Sequence, residues 1–169
     1  MGRMNLAMDV QYGSDRAAVA GILFQDWADD RPFEILTTVE SSFGEYEPGA
    51  FYKRELPCLL ALLQKCRYRL ETIVVDGYVT LSDDKPGLGM HLHRALEGAV
   101  AVVGVAKTRY QGISADHEIL RGASARPLFV TSMGCPLELA KERILSMHGE
   151  HRIPFLLGRA DREARELAR

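Results

Sequence analysis

The chain has 169 residues, with 21 Lys plus Arg against 23 Asp plus Glu and a formal net charge of −2. That length suits one domain, 1–169, which can bury roughly two thirds of its unfolded surface without disulfides or metal staples. The charge balance excludes a strongly basic nucleic-acid binder, and the longest uncharged apolar stretch, Gly98 to Ala106, is far short of the about 20 residues a membrane span needs.

Leu6, Met8, Val10 and Tyr12 alternate along Asn5 to Tyr12, the period of a strand. Gly13 to Arg16 is a turn signal. Ala17 to Phe24 and Glu34 to Ser41 read as two further strands, so the three form an antiparallel meander. Ser42 to Gly49 is a loop. A helix is expected from about Phe51 to Cys66, with Leu56, Leu59, Leu60 and Leu63 as its core-facing stripe and Pro57 in its first turn. That puts Glu55 at or just before the helix start.

Thr72 to Val75 is a β-branched run closed by Asp76-Gly77 and reads as a strand buried on both faces. After a polar loop, Thr80 to Gly87, a helix from Gly89 to Ala99 is expected to bury Leu92, Ala95, Leu96 and Ala99. Val100 to Val105 and Leu128 to Ser132 are strands, Pro136 to Met147 is a helix, and Ala160 to Ala168 is a short last helix. Tyr110 to Arg126 shows no clear period. This order predicts an α/β protein, a mixed sheet of antiparallel meander plus parallel strands flanked by helices, as in the ribonuclease H-like arrangement.

The first nine residues hold one Arg and no hydrophobic core of a leader, so no signal peptide is expected. Cys58, Cys66 and Cys135 include no CxxC pair. They are expected to be small buried hydrophobes in a reducing, cytoplasmic setting. Lys53 to Arg69 carries five basic residues and one acid, either a basic patch or a solvated helix face.

Four carboxylates fall where elements begin or end: Asp9, Glu55, Asp76 and Asp161. In α/β sheets, chemistry gathers beyond the carboxyl ends of the strands. A buried Asp there needs a partner or a metal. All-oxygen ligands suit Mg²⁺, or Mn²⁺, and a cluster of this kind can hold two cations that activate water and stabilise a leaving oxygen. Taken singly, each acid also reads as a turn or cap residue, Asp161 as an N-cap of the last helix.

The segment Tyr46-Glu47-Pro48-Gly49-Ala50-Phe51-Tyr52-Lys53-Arg54-Glu55 resembles the signature of the endonuclease V family. Three more segments match in order: Ala7-Met8-Asp9-Val10, Val74-Val75-Asp76-Gly77 and Gly104-Val105-Ala106-Lys107-Thr108-Arg109. Leu88-Gly89 with His93 also fits, so the resemblance spans about Leu6 to Arg165. It implies a ribonuclease H-like fold and a Mg²⁺-dependent nuclease of DNA repair or inosine-RNA processing. Such an enzyme recognises hypoxanthine in DNA or RNA and cuts the second phosphodiester on its 3′ side. Catalytic residues would then be Asp9, Glu55, Asp76 and Lys107. Asp9, Glu55, Asp76 and Asp161 would be metal ligands, and Lys107 would meet a phosphate.

The resemblance also implies a wedge of Tyr46 and Pro48 that fills the gap left by the displaced base. Stacking on such a ring is worth roughly 1–3 kcal/mol. Gly49, Gly89 and Ala106 would let backbone amides approach the base, with Phe51, Met90 and Tyr110 as walls or as ordinary core. His93 reads equally as a satisfied structural histidine. The partners implied are inosine-containing DNA or RNA, with no membrane and no obligate protein partner. Two departures keep other readings open: acids flank Tyr46, and the loop after Asp76 has no His. A non-catalytic inosine or nucleic-acid binding module, or a nuclease of RNA-directed or relaxed specificity, would share the same fold.

Overall fold

The computed structural model describes residues 2–41, 52–81 and 85–169. Its strands are β1 (Met4–Tyr12), β2 (Ala17–Phe24), β3 (Glu34–Glu40), β4 (Leu70–Asp76), β5 (Ala101–Ala106), β6 (Glu118–Ile119) and β7 (Leu128–Met133). Its helices are α1 (Tyr52–Leu63), α2 (Leu88–Ala95), α3 (Leu137–Ser146) and α4 (Phe155–Ala168). Among the described residues these strands form one sheet in the order β3-β2-β1-β4-β5-β7-β6. The meander is antiparallel, β1, β4 and β5 run parallel, and β7 returns antiparallel to both β5 and β6. This is the expected mixed sheet. No helix among the described residues is long and apolar enough to cross a membrane.

Alternation along β1 divides the core in two. Leu6, Met8 and Val10 face α1 and α2, with Leu59, Leu62 and Leu92. Ala7 faces the other way, into a second cluster with Phe24, Leu128, Ile144, Leu156 and Ala160.

Three helices depart from the sequence reading. The face of α1 turned inward is Glu55, Cys58, Leu59 and Leu62, whereas Leu56, Leu60 and Leu63 are only partly buried. Pro57 stands inside the helix, and Glu55 belongs to its first turn. α2 stops at Ala95 because Glu97 and Gly98 take left-handed backbone, φ 56° and 73°; Ala99 lies beyond it and is exposed, as is Ala95 on its outward face. α4 begins at Phe155, behind Pro154, five residues before the predicted start. Asp161 therefore sits mid-helix and is no N-cap. Leu156, Ala160, Ala164 and Ala168 recur every four residues on its buried face.

Gly104 fixes how the chain leaves β4. A Cβ there would stand 2.5 Å from the Gly77 carbonyl oxygen, 2.8 Å from Thr131 Oγ1 and 2.9 Å from the Val79 amide nitrogen. The Val79 N–H donates to Thr131 Oγ1 at 2.8 Å, so the segment after Asp76 is pinned across β5 and β7. Gly104→Ala is expected to cost about 1–3 kcal/mol by overpacking, or roughly 2–4 °C of melting temperature per kcal/mol in a chain of this size. A thermal melt superimposable on the native one would show that this crossing has slack.

Candidate functional site

In the register of β1 with β4, Met8 lies opposite Val75, which leaves Asp9 and Asp76 as the next residues of two neighbouring parallel strands. Beyond them the strands part. β1 stays with β2 as far as Tyr12, while β4 ends and the chain turns at Gly77, with φ 131°. The opening is a cavity of about 490 Å³ lined by Asp9, Gln11, Glu55, Asp76, Ala106 and Lys107, among others. Glu55 reaches it because the inward face of α1 carries it there.

The acids differ in their surroundings. Asp9 is buried; its Oδ1 accepts the Val10 N–H and its Oδ2 the Gln11 amide, each at 3.0 Å. Burial pushes its carboxyl up to about 7; the Gln11 amide opposes that rise, while Asp76 and Asp161 add to it. Burial, joined by the charges of Asp9 and Asp76 and opposed by Arg54, pushes Glu55 up to about 8. The Glu55 Oε2 atom is buried with no hydrogen-bond partner. Asp76 is half-exposed and lies 3.4 Å from Lys107 Nζ.

Asp161 joins the group from α4. Burial acts to raise its pKa, but the Arg165 hydrogen bond, the adjoining Asp9 carboxyl and the charges of Arg165 and Lys107 outweigh it, and the net shift is downward. Lys107 follows β5 directly, and its carbonyl accepts from Arg152 at 2.5 Å. Arg121, itself buried, donates to the carbonyls of Met147, Gly149, His151 and Arg152. These two guanidinium groups fasten the α3–α4 connection beside the site.

Among the described residues, no three His, Cys, Asp or Glu side chains stand close enough together to enclose an ion as they are. The residue set nonetheless fits a hard cation. A buried carboxylate with an orphan oxygen and a second buried carboxylate of raised pKa line one cavity with a third. Lys107 offsets only the half-exposed Asp76, the two buried carboxyls have their pKa raised by burial, and oxygen-only donors match Mg²⁺ or Mn²⁺.

A second cavity, of about 270 Å³, adjoins the first through Asp76, Gly77 and Tyr78. Its other walls include Tyr52, Leu81, Leu88 and Tyr110. The Tyr78 hydroxyl donates to the Thr108 carbonyl at 2.6 Å and accepts the Tyr110 N–H at 3.0 Å, joining the segments after β4 and β5. Tyr52 stacks on His91, with ring centroids 3.6 Å apart.

Of the residues expected at the base, Tyr110 lines this second cavity and Ala106 the acidic one. Gly89 and Met90 line neither. The Gly89 N–H is taken by the Tyr78 carbonyl, and a Cβ on Gly89 would meet Val79 at 2.6 Å, so this glycine serves helix packing. Met90 is core. Tyr46, Pro48, Gly49 and Phe51 lie outside the described residues. His93 Nδ1 is 2.9 Å from the Val100 carbonyl, a satisfied structural histidine. Cys58 is buried, Cys66 and Cys135 only partly so, and all three are free thiols.

Sequence reasoning missed Gln11, Tyr52 and Tyr78. Gln11 had a signal, its two-residue spacing from Asp9 on one strand face. The cavity roles of Tyr52 and Tyr78 depend on packing that no local pattern carries.

Residues 3–135 match the family model described as Endonuclease V. Among curated proteins there is no match. Among solved structures, Endonuclease V from Streptomyces avermitilis is similar with TM-score 0.76 and 26% identity, covering 97% of this chain and 80% of that one. Human ENDOV gives 0.80 and 21%, with 98% and 84% covered. A Ciona intestinalis Endonuclease V, in complex with a 24mer DNA containing an inosine followed by a ribo-adenosine, gives 0.80 and 18%, with 98% and 85% covered. The ribonuclease H-like fold expected from the sequence is the fold of this chain.

Proposed function

The chain belongs to the endonuclease V family, and from that premise we propose that it is a Mg²⁺-dependent endonuclease, with Mn²⁺ as a substitute, that recognises inosine in nucleic acid and hydrolyses the second phosphodiester on its 3′ side. The observation that carries this reading is the shared wall of the two cavities. An aromatic chamber and an acidic cleft meet at Asp76-Gly77-Tyr78. A base drawn out of its stack and seated among Tyr52, Tyr78 and Tyr110 keeps its strand within reach of the carboxylates.

Asp9, Glu55 and Asp76 would hold the cation, with Asp161 beside them. When bound, the cation supplies a nucleophilic water near neutral pH and charge stabilisation for the leaving oxygen. Lys107 Nζ, already at the rim against Asp76, donates to a phosphate oxygen of the strand. The Tyr52–His91 stack stiffens one chamber wall. Adenine, with an amino group in place of the hypoxanthine oxygen, would set a donor against any group that donates to that oxygen, and two donors left unpaired would reject it.

The test uses end-labelled strands of one sequence, with inosine or adenine at one position, as DNA, as RNA, and as DNA with a single ribonucleotide after the inosine. Cleavage is expected only with inosine and Mg²⁺ or Mn²⁺, directly after its 3′ neighbour, and is abolished by EDTA. Equal cutting of the adenine strands, or cutting unaffected by EDTA, would remove this reading. The relative rates on DNA, RNA and the mixed strand decide which sugar the enzyme prefers.

A further inference from the structure

Asp9 and Gln11 stand two residues apart on β1 and project from the same face, toward α4. The Gln11 side-chain nitrogen donates to Asp9 Oδ2 at 3.0 Å and to Asp161 Oδ1 at 2.8 Å. Both amide hydrogens are thus taken by carboxylates, one on the first strand and one on the last helix. From its other side Asp161 is gripped by Arg165, one turn further along α4, whose Nη2 lies 3.0 Å and 3.3 Å from its two oxygens. The remaining Asp9 oxygen accepts the Val10 N–H.

Two carboxylates so close repel one another unless something is placed between them. An amide offers two donors without a net charge. A Lys or Arg in its place would also tie the acids, but its positive charge would oppose entry of a cation beside Asp9. An aliphatic side chain would leave both acids unsupported. We propose that Gln11 is a positioning residue of this enzyme: its amide fixes the Asp9 carboxylate in the orientation from which it holds the cation, and ties Asp161 on α4 to that carboxylate. The inference rests on the reading of Asp9 as a cation-holding residue.

The experiment is a double-mutant cycle on the full chain with Gln11→Leu, Asp161→Asn and both together, read by calorimetric Mn²⁺ binding to metal-free protein and by cleavage kinetics. Gln11→Leu is expected to weaken Mn²⁺ binding by about tenfold, the low end for a residue that orients a metal ligand. Its effect should be smaller in the Asp161→Asn background, where the charge-assisted half of the tie is gone and the bond to Asp9 remains. The turnover number should fall with it, while KM for the inosine strand stays unchanged. Losses that simply add across the cycle, or native Mn²⁺ affinity in Gln11→Leu, would overturn the proposal. Should Gln11→Leu fail to fold, the Gln11 side-chain NH₂ resonances decide the tie: they must shift between native protein and folded Asp161→Asn, and unshifted resonances overturn it. A native chain that takes up no Mn²⁺ would refute the function reading, and those resonances would still judge the tie separately.

Discussion

Asp76→Asn and Glu55→Gln are each expected to lower cleavage of inosine-containing strands by about a hundredfold or more, since each removes a charged oxygen from the proposed cation site and several kcal/mol of charge stabilisation with it. Their effects on the folded protein should differ. Glu55 is buried with an unpartnered Oε2, so neutralising it relieves a desolvated charge. Metal-free Glu55→Gln should therefore melt above the native protein at about pH 8. Asp76 is half-exposed and pairs with Lys107 across 3.4 Å. An exposed pair of this kind contributes little, so Asp76→Asn should melt close to native. Melting curves with EDTA beside gel-resolved cleavage rates check both statements. Near-native turnover in either variant would remove that residue from the site.

The second large effect is on stability against pH. Burial raises Asp9 from 3.8 to about 7 and Glu55 from 4.5 to about 8. A carboxyl group with a raised pKa keeps its proton in the folded chain after the unfolded chain has lost it. Its contribution is complete below the unfolded value and is lost as pH climbs through the folded one. Metal-free protein is thus expected to lose stability between about pH 4 and pH 8. Asp161 shifts downward, and its contribution lies at more acid pH. Adding Mg²⁺ should restore the loss, with an increment that grows with pH because the ligands must be deprotonated to bind. Calorimetric melts near pH 5.5, 7 and 8.5, with EDTA or with Mg²⁺, give the answer. A metal-free melting temperature that rises across that range would contradict the burial of these acids.

Periodicity made the meander legible, and it did so because β1 has one face on each of two hydrophobic layers. The acids Asp9 and Asp76 were legible for a related reason: a charge at the end of an apolar strand is costly and so conspicuous. The facing of α1 was not. Four leucines suggested one stripe, yet the helix turns Cys58 and Glu55 inward with Leu59 and Leu62, and only the sheet beneath it decides that rotation. The start of α4 was obscured by Gly158, a poor helix former that tertiary packing overrides. Pro154 and the four-residue recurrence of Leu156, Ala160, Ala164 and Ala168 were the better signals. At Gly89 a tertiary contact was not legible. A small residue in a family motif suggested room for a base, and the structure adds that a Cβ there would meet Val79.

The position of α4 has a consequence for how the protein is made. This last helix lies against β1 and β2, the first two strands, and covers their Ala7, Ile22 and Phe24 face. Its far end is close enough to the β1–β2 turn that a Cβ on Gly13 would strike the Ala168 carbonyl. During synthesis the meander therefore leaves the ribosome with an apolar surface that α4 cannot cover until it has been translated. At about 5–20 residues per second, that wait is on the order of ten seconds. A nascent chain stalled just short of Phe155 would present that surface to chaperones and to other nascent chains, and release of the last helix would withdraw it.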